Sequence, residues 1–298
     1  MKNIKVIGMI GLISIIWGYL WVSMKVGLQD IPPFFFTTLR LFIGALVLIT
    51  VLIIRRKPIL PKGNERRRFF ALGMLMCVGY YALCTYGIQF VDSGISSVLV
   101  YTMPIIVSIL AHFFLNERLN WLKGFGLIVG AAGLATIIGP KLLHLSWNLA
   151  LFGEIVIVVS AFFWSSANVY TKKIGRDHDK IKMTLWQLID GGIILLIISL
   201  LKEHHEIAHL SIHMPSMLAL LYSSILGTAV AFVGWNWVLG NIEASIASIS
   251  LMSVPILGLI FGAIQLHEAI TQNVIIGAIF VCLGILFTSL PKKKPLKG

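Results

Sequence analysis

Charged residues are scarce in this sequence of 298 residues. They make up 12% of the chain, and Asp and Glu together number only 12. A soluble domain carries roughly a quarter of charged residues. Hydrophobic residues make up 58%, and the mean hydropathy is +0.92. So few polar groups could not cover such a core in water, which excludes an ordinary soluble enzyme, a disordered chain and a coiled coil.

Cysteine is also scarce, and nucleotide-binding motifs are absent. Cys77, Cys84 and Cys282 all lie in apolar runs, and their odd number indicates neither a disulfide framework nor a metal cluster. No G-x-x-x-x-G-K-[ST] sequence occurs, so direct drive by ATP is unsupported. We therefore expect no cofactor and no bound metal. The net charge of +12 is explained by membrane topology, and we expect no nucleic-acid partner.

Long apolar runs dominate what is present. Each is roughly 19–23 residues long, enough to cross a bilayer as a helix. The ten runs cover residues 4–24, 33–54, 69–90, 94–115, 121–139, 150–170, 183–201, 216–239, 244–266 and 272–290. The first run lacks a small-residue cleavage site and is interpreted as a retained helix rather than a signal peptide. No alternating barrel pattern occurs, so the sequence predicts an all-α membrane protein with ten transmembrane helices.

Lysine and arginine predict the orientation of these helices. With the N-terminus in the cytoplasm, the inner segments carry 20 of these residues, and the outer segments carry only Lys25, Lys141 and Lys202. Because cytoplasmic loops are enriched in Lys and Arg, we expect a multi-pass protein of the cell membrane with both termini cytoplasmic.

Two ordered sets of residues indicate an internal repeat. At an offset of 151, Pro104, Glu117, Gly126 and Gly133 match Pro255, Glu268, Gly277 and Gly284; at an offset of 147, Trp17, Lys25, Arg40 and Gly44 match Trp164, Lys172, Gln187 and Gly191. Five helices per copy is an odd number, so the second copy enters the membrane from the other side. The sequence thus predicts two inverted five-helix repeats, residues 1–140 and 150–291, followed by a basic cytoplasmic tail at 292–298.

These residues resemble the EamA family of the drug/metabolite transporter superfamily. The signatures are Trp17-Gly18 followed by Lys25, Leu39-Arg40, and Pro104 with Asn116-Glu117-Arg118-Leu119, repeated as Glu154, Trp164, Pro255, His267-Glu268 and Gly277. The resemblance covers essentially the whole chain. It implies transport without fixing the substrate, since characterised bacterial members of the family look like exporters of amino acids, related metabolites or drugs. We expect a secondary transporter, most simply an exporter, that works by the alternating access which an inverted repeat explains, with proton coupling as one way of driving it.

Arg40 is the most informative candidate for the substrate site. It lies about 10 Å deep in the second predicted helix, at 1.5 Å per residue. An arginine in the hydrocarbon is costly unless it faces a cavity or a partner. It could anchor a substrate carboxylate or form a gate, or it could bond backbone carbonyls of neighbouring helices as a structural residue. Its repeat counterpart, Gln187, is a further candidate for the cavity.

Asp190 is a candidate both for the cavity and for proton coupling. It lies about seven residues into the seventh predicted helix from the cytoplasmic side, too far from Arg40 for a direct ion pair. Glu154 is the second coupling candidate. Trp17 and Trp164 match across the repeat, which favours cavity lining for both, whereas Trp235 and Trp237 suit the interfacial belt.

The matched prolines and glycines have different expected roles. Pro104 and Pro255 can kink their helices, and broken helices near the midplane mark binding regions in transporters. Gly126, Gly133, Gly277 and Gly284 are interpreted as packing residues. Glu117 and Glu268 are assigned a structural role, the stabilisation of the N-terminus of the helix that follows each of them.

One motif suggests a different class of protein. His205, Glu206 and His209 satisfy the H-E-x-x-H zinc pattern. They lie in a polar outer loop without a credible third ligand, so an intramembrane metal-dependent hydrolase is kept only as the alternative. We expect a transporter, not an enzyme, acting on a small-molecule substrate within the lipid bilayer as a monomer or a homodimer.

Overall fold

The computed structural model describes residues 2–115, 121–143, 148–174, 178–239, 251 and 253–289. Within these ranges every regular element is a helix. This confirms the predicted all-helical membrane fold for this part of the chain, since helices satisfy their own backbone groups where water is absent.

The helices are labelled α1 to α10 in chain order. They span Lys2–Gly27, Pro33–Ile54, Glu65–Ile88, Ser93–Leu115, Trp121–Leu143, Leu149–Ile174, Lys180–Lys202, residues 214–239, Ser253–Gln265 and Gln272–Ser289. A short helix, His204–Ala208, lies between α7 and α8. In the described residues, seven helices (α1–α4 and α6–α8) are long and apolar enough to cross a membrane, whereas α5, α9 and α10 hold shorter apolar stretches.

The start of α3 differs from the predicted boundary at residue 69. The helix begins at Glu65, because the polar first turn is held against neighbouring segments. The Glu65 carboxylate accepts a hydrogen bond from the Lys62 amide at 2.8 Å and forms an ion pair with Lys182 Nζ of α7 at 2.7 Å. Apolar runs indicate only the part of a helix that lies in the hydrocarbon, so they do not predict a polar extension of that helix.

Helices from the two halves of the chain pack around a common centre. α1 packs along α8 and α9, and α6 packs along α3 and α4. α2 lies along α7, and α5 lies along α10. The centre is therefore bordered by helices from both halves, while the α5–α10 pair contacts the rest of the protein mainly through α4 and α6.

Glycine brings α5 and α10 into backbone contact. A Cβ atom on Gly133 would lie 2.7 Å from the carbonyl oxygen of Gly277, and one on Gly284 would lie 2.7 Å from that of Gly126. Larger residues at Gly133, Gly277 or Gly284 would force the two helices apart, so these three glycines serve the close helix packing that small residues permit.

Both α3 and α8 contain π-helical turns, at Met74–Ala82 and Tyr222–Val230. The Thr228 hydroxyl donates to the Ser223 carbonyl, five residues earlier, at 2.9 Å. Such wide turns are rare and frequently occur at functional sites. Nothing in the apolar pattern of either segment predicts them.

α4 is interrupted near its middle by a turn at Tyr101 and Thr102. The next helical segment begins at Met103, so Pro104 occupies a first-turn position rather than the expected mid-helix position. Proline is tolerated there because the first amides of a helix have no intrahelical partner. Pro255 is likewise the third residue of α9 as described, and residues 244–250 of the predicted helix lie outside the described residues.

Glu268 caps a different helix from the one expected. The sequence suggested the following helix, α10, but the carboxylate accepts bonds from the amides of Ser93, at 2.6 Å, and Gly94, at 2.9 Å. These residues begin α4, from the other half of the chain. A carboxylate at a helix N-terminus satisfies free amides and complements the helix dipole, whichever helix lies in reach. Glu117 lies outside the described residues.

We call the end that carries the α1–α2, α3–α4 and α7–α8 connections the outer end, following the predicted orientation. Glu203 there accepts the amides of Phe34 and Phe35, both at 2.8 Å, and so caps α2. Burial raises the pKa of Glu203 above its ordinary value, despite these amides. Asp30 accepts the His213 amide, at 2.8 Å, just before α8.

Candidate functional site

A cavity of about 90 Å³ lies at the common centre of the helices. Its described lining residues are Trp17, Leu20, Trp21, Arg40, Tyr80, Tyr81, Val100, Tyr101, Met103, Trp164, Gly227, Phe232, Trp235, Leu251 and Val254. They come from α1–α4, α6, α8 and the start of α9. The sequence-predicted residues Arg40, Trp17 and Trp164 are therefore brought together in one wall.

Aromatic rings form most of this wall. Trp17 lies against Phe232 and Trp235, with ring centroids 5.9 and 5.8 Å apart, and its Nε1 donates to the Gly227 carbonyl at 3.1 Å. The ring centroid of Tyr80 lies 6.5 Å from that of Trp164. The expected belt position of Trp235 is wrong: its side chain is buried and lines the cavity, because α8 presents this face to α1.

Arg40 is the one charged side chain among the described lining residues. It is 2% exposed. Nε donates to Thr228 Oγ1 at 2.8 Å, Nη1 approaches Met24 Sδ at 3.4 Å, and the guanidinium lies 4.8 Å from the Tyr81 ring centroid. None of these partners is an anion, and none is a backbone carbonyl of the kind a structural arginine was expected to bond.

Asp190 lies outside this lining. It is buried on α7 and forms an ion pair with Arg66 of α3, whose guanidinium also lies 4.8 Å from the Trp186 ring centroid. Gln187 is buried one turn away, and its backbone carbonyl accepts a hydrogen bond from the Cys77 thiol at 3.3 Å. The structure places both residues at the contact between α3 and α7, so it does not join Asp190 and Arg40 through one cavity.

The remaining candidates fall in three places. Glu154 is fully buried on α6. Pro255 follows the cavity residue Val254, and its carbonyl accepts the Ser97 hydroxyl at 3.2 Å. His205 and Glu206 lie in the short exposed helix between α7 and α8. Across the described part of the chain, no three His, Cys, Asp or Glu side chains group so as to hold a metal ion.

Sequence reasoning missed several residues of the site, above all Thr228, which holds Arg40. Its signal in the sequence is a small polar cluster, Ser223, Ser224 and Thr228, inside a mostly apolar helix. Tyr101 and Phe232 were also missed, because aromatic residues are common in apolar helices and no spacing distinguishes those that face a cavity.

Comparison with known proteins identifies the family. A model of the EamA-like transporter family matches the chain twice, over residues 4–139 and 151–290. The chain belongs to the EamA-like transporter family. This EamA-like chain is 45% identical to "Uncharacterized transporter YoaV" of Bacillus subtilis (strain 168), over 94% of the chain and 96% of that protein.

More distant relatives of this EamA-like chain carry functional names. A protein of Salmonella typhimurium named "Probable amino-acid metabolite efflux pump" is 26% identical over 92% of the chain and 91% of its own length. A solved crystal structure shares the fold, with a TM-score of 0.69 and 17% identity over 95% of this chain and 96% of that one. The family and these names support a general role in transport across a membrane.

Proposed function

We propose that the chain is a secondary transporter that exports a small organic molecule through the central cavity by alternating access. The observation that carries this proposal is a cavity bordered by helices of both halves, with the buried cation Arg40 in its wall. The efflux pumps named among the relatives support amino acids or related metabolites as the substrate class.

We further propose the architecture predicted from the sequence: ten transmembrane helices in two inverted repeats, residues 1–140 and 150–291. The double match of the family model supports this division. So do the equivalent packing of α1 on α8–α9 and of α6 on α3–α4, and the π-helical turns in both α3 and α8. The protein would lie in the cell membrane with both termini cytoplasmic, as a monomer or a homodimer.

In the proposed cycle, α1–α4 and α6–α9 rock around the cavity to expose it to each side in turn. The cavity lining runs from mid-helix towards the inner ends, at Trp235 and Leu251. On the outer side, Ile31, Phe36 and Ile88 belong to one buried apolar cluster. This cluster supports assigning the structure to a state closed towards the outside. The α5–α10 pair would serve as a fixed support.

A transport screen of amino acids and related metabolites in proteoliposomes, with and without a pH gradient, tests the proposal. Arg40→Ala should abolish transport while expression persists, and Arg40→Lys should restore it only in part, because lysine lacks the planar guanidinium fork. The exposed Arg67→Ala is the matched control and should transport normally. Normal transport by Arg40→Ala would remove Arg40 from the site.

Proton coupling is proposed through Asp190, with Glu154 as the second candidate. In the present arrangement the Asp190 carboxylate is paired with Arg66 of α3. Asp190→Asn should then remove the dependence of transport on the pH gradient, whereas Arg66→Gln should keep it. Equal behaviour of the two variants would instead make the pair a structural link between α3 and α7.

A further inference from the structure

The charge of the cavity wall limits what it can bind. Among the described residues, no acidic side chain lies within ion-pair distance of Arg40. The described carboxylates discussed above lie elsewhere: Asp190 pairs with Arg66, and Glu203 and Glu268 cap helices. The described part of the wall therefore presents one cation and no counter-charge.

The guanidinium of Arg40 has more N–H donors than its described partners accept. It carries five N–H groups. Thr228 takes the one on Nε, and the Met24 thioether, a weak acceptor, takes one on Nη1. A buried charge that lacks an ionic partner is expensive. An anionic oxygen pair from a ligand would satisfy the remaining donors in the bidentate geometry that arginine favours.

The same wall is poorly suited to an ammonium group. A buried cation needs a carboxylate, a set of carbonyls or open ring faces. The described wall supplies no carboxylate, and although it presents several aromatic rings, Arg40 already lies over the face of Tyr81. An ammonium in this cavity would also meet the charge of Arg40.

The size of the cavity bounds the rest of the ligand. It measures about 90 Å³ as it stands. An engineered apolar cavity of about 150 Å³ takes up benzene. The cavity would therefore have to widen to admit a ligand with a single ring and a carboxylate, and it would have to widen further for a polycyclic drug. The rings of Trp17, Tyr80 and Trp164 would contact its apolar part.

We infer that the cavity recognises small aromatic or apolar monocarboxylates through Arg40, and that it does not require the amino group of an amino acid. This inference rests on the proposed function, because it names the substrate class of the same cavity. It differs from the relatives' printed names in making the carboxylate, rather than the whole zwitterion, the recognised group.

Three probes that share one ring and chain length distinguish recognition of the carboxylate from recognition of the ammonium or of the whole zwitterion. Phenylalanine carries both charged groups, 3-phenylpropanoate carries the carboxylate alone, and 2-phenylethylamine carries the ammonium alone. Binding to the purified full chain in detergent micelles would be measured by isothermal titration calorimetry. We expect 3-phenylpropanoate to bind at least as tightly as phenylalanine, and 2-phenylethylamine to bind at least about tenfold more weakly.

Variants assign the selectivity to Arg40. Arg40→Gln should weaken 3-phenylpropanoate binding by at least about tenfold, whereas Arg67→Ala should leave it unchanged. If Arg40→Gln does not fold, the three-probe comparison on the unaltered chain still decides. Tighter binding of 2-phenylethylamine, a strict need for the amino group, or no binding of any probe would overturn the inference. The transport screen with other solutes would then show separately whether the proposed function stands.

Discussion

Thr228 determines how Arg40 is presented to the cavity. Its Oγ1 accepts from Arg40 Nε at 2.8 Å and donates to the Ser223 carbonyl at 2.9 Å, so the hydroxyl is fixed from both sides. Thr228→Val keeps the shape but removes the acceptor. A hydrogen bond to a charged group contributes about 1.5–3 kcal/mol, so substrate affinity should fall by about tenfold or more.

Thr228→Ser is the control for that substitution, because it keeps the hydroxyl and should retain most of the affinity. Calorimetric titration of both variants with the best substrate from the transport screen makes the comparison. Equal affinities of Thr228→Val and Thr228→Ser would mean that the contact with Thr228 does not orient Arg40.

At the residue scale, the energetic cost of a buried charge and the symmetry of the repeat together pointed to residues that the structure brings together. An arginine at hydrocarbon depth must face a cavity or a partner, and Trp17 and Trp164 occupy matched positions; the structure places all three in one wall. Depth alone was insufficient for Asp190, whose neighbour Arg66 comes from another helix. Which polar groups meet across helices depends on tertiary packing, and no spacing along the chain encodes it.

The π-helical turns of α3 and α8 contain residues of the cavity wall, Tyr80 and Tyr81 in one and Gly227 in the other. A π-helical turn can be removed by deleting one residue, which restores the α-helical register beyond it. Deleting Ile225, whose side chain is exposed, should remove the wide turn in α8 and shift Thr228 away from Arg40. The helix should still assemble, while transport should fall by about tenfold or more through loss of the charged contact.

Ile225→Ala provides the control, because it alters the same position without changing the residue count. The yield of purified protein and the thermal unfolding midpoint report assembly, and proteoliposome uptake reports transport. Unchanged transport in the deletion variant would mean that the turn in α8 has no part in the site.

At the scale of elements, the apolar runs predicted the helices well and their irregularities poorly. The lengths of α2 and α7 follow from the hydrocarbon thickness, which the sequence records directly. The break in α4 at Tyr101 and Thr102 directly precedes Pro104, which the sequence marks as a residue that can kink this helix. The π-helical turns depend instead on contacts between helices. Such contacts leave no periodic trace in the sequence.

The orientation of the whole molecule is open to a labelling test. Ser211 lies in the connection between α7 and α8, and Asn64 precedes α3. In a chain with Cys282→Ser, cysteine at position 211 should react with an impermeant maleimide added outside intact cells, and cysteine at position 64 should react only after the membrane is opened. Cys77 and Cys84 are buried and should not react with the maleimide. The reversed pattern would invert the assigned topology.

Glu203 should make the balance between the proposed conformations depend on the pH at the outer end. Burial gives this carboxyl a raised pKa in the present arrangement, in which it caps α2. In any arrangement that separates the outer end, Glu203 would be hydrated and would titrate near its ordinary pKa. The arrangement with the higher pKa binds the proton more readily, so it is favoured as the pH falls through the interval between the two values.

Alkaline surroundings should accordingly open the outer end, and acid should keep it shut. A cysteine at the buried position Ile31 should react faster with an impermeant maleimide as the external pH rises, after normalisation to a cysteine at the exposed position Ser211. Glu203→Gln, which cannot ionise, should flatten that normalised profile. If the normalised profile keeps its slope in this variant, the responsible group lies elsewhere. If the profile flattens, one residue at the end of a helix senses the external pH and shifts the transport cycle in response.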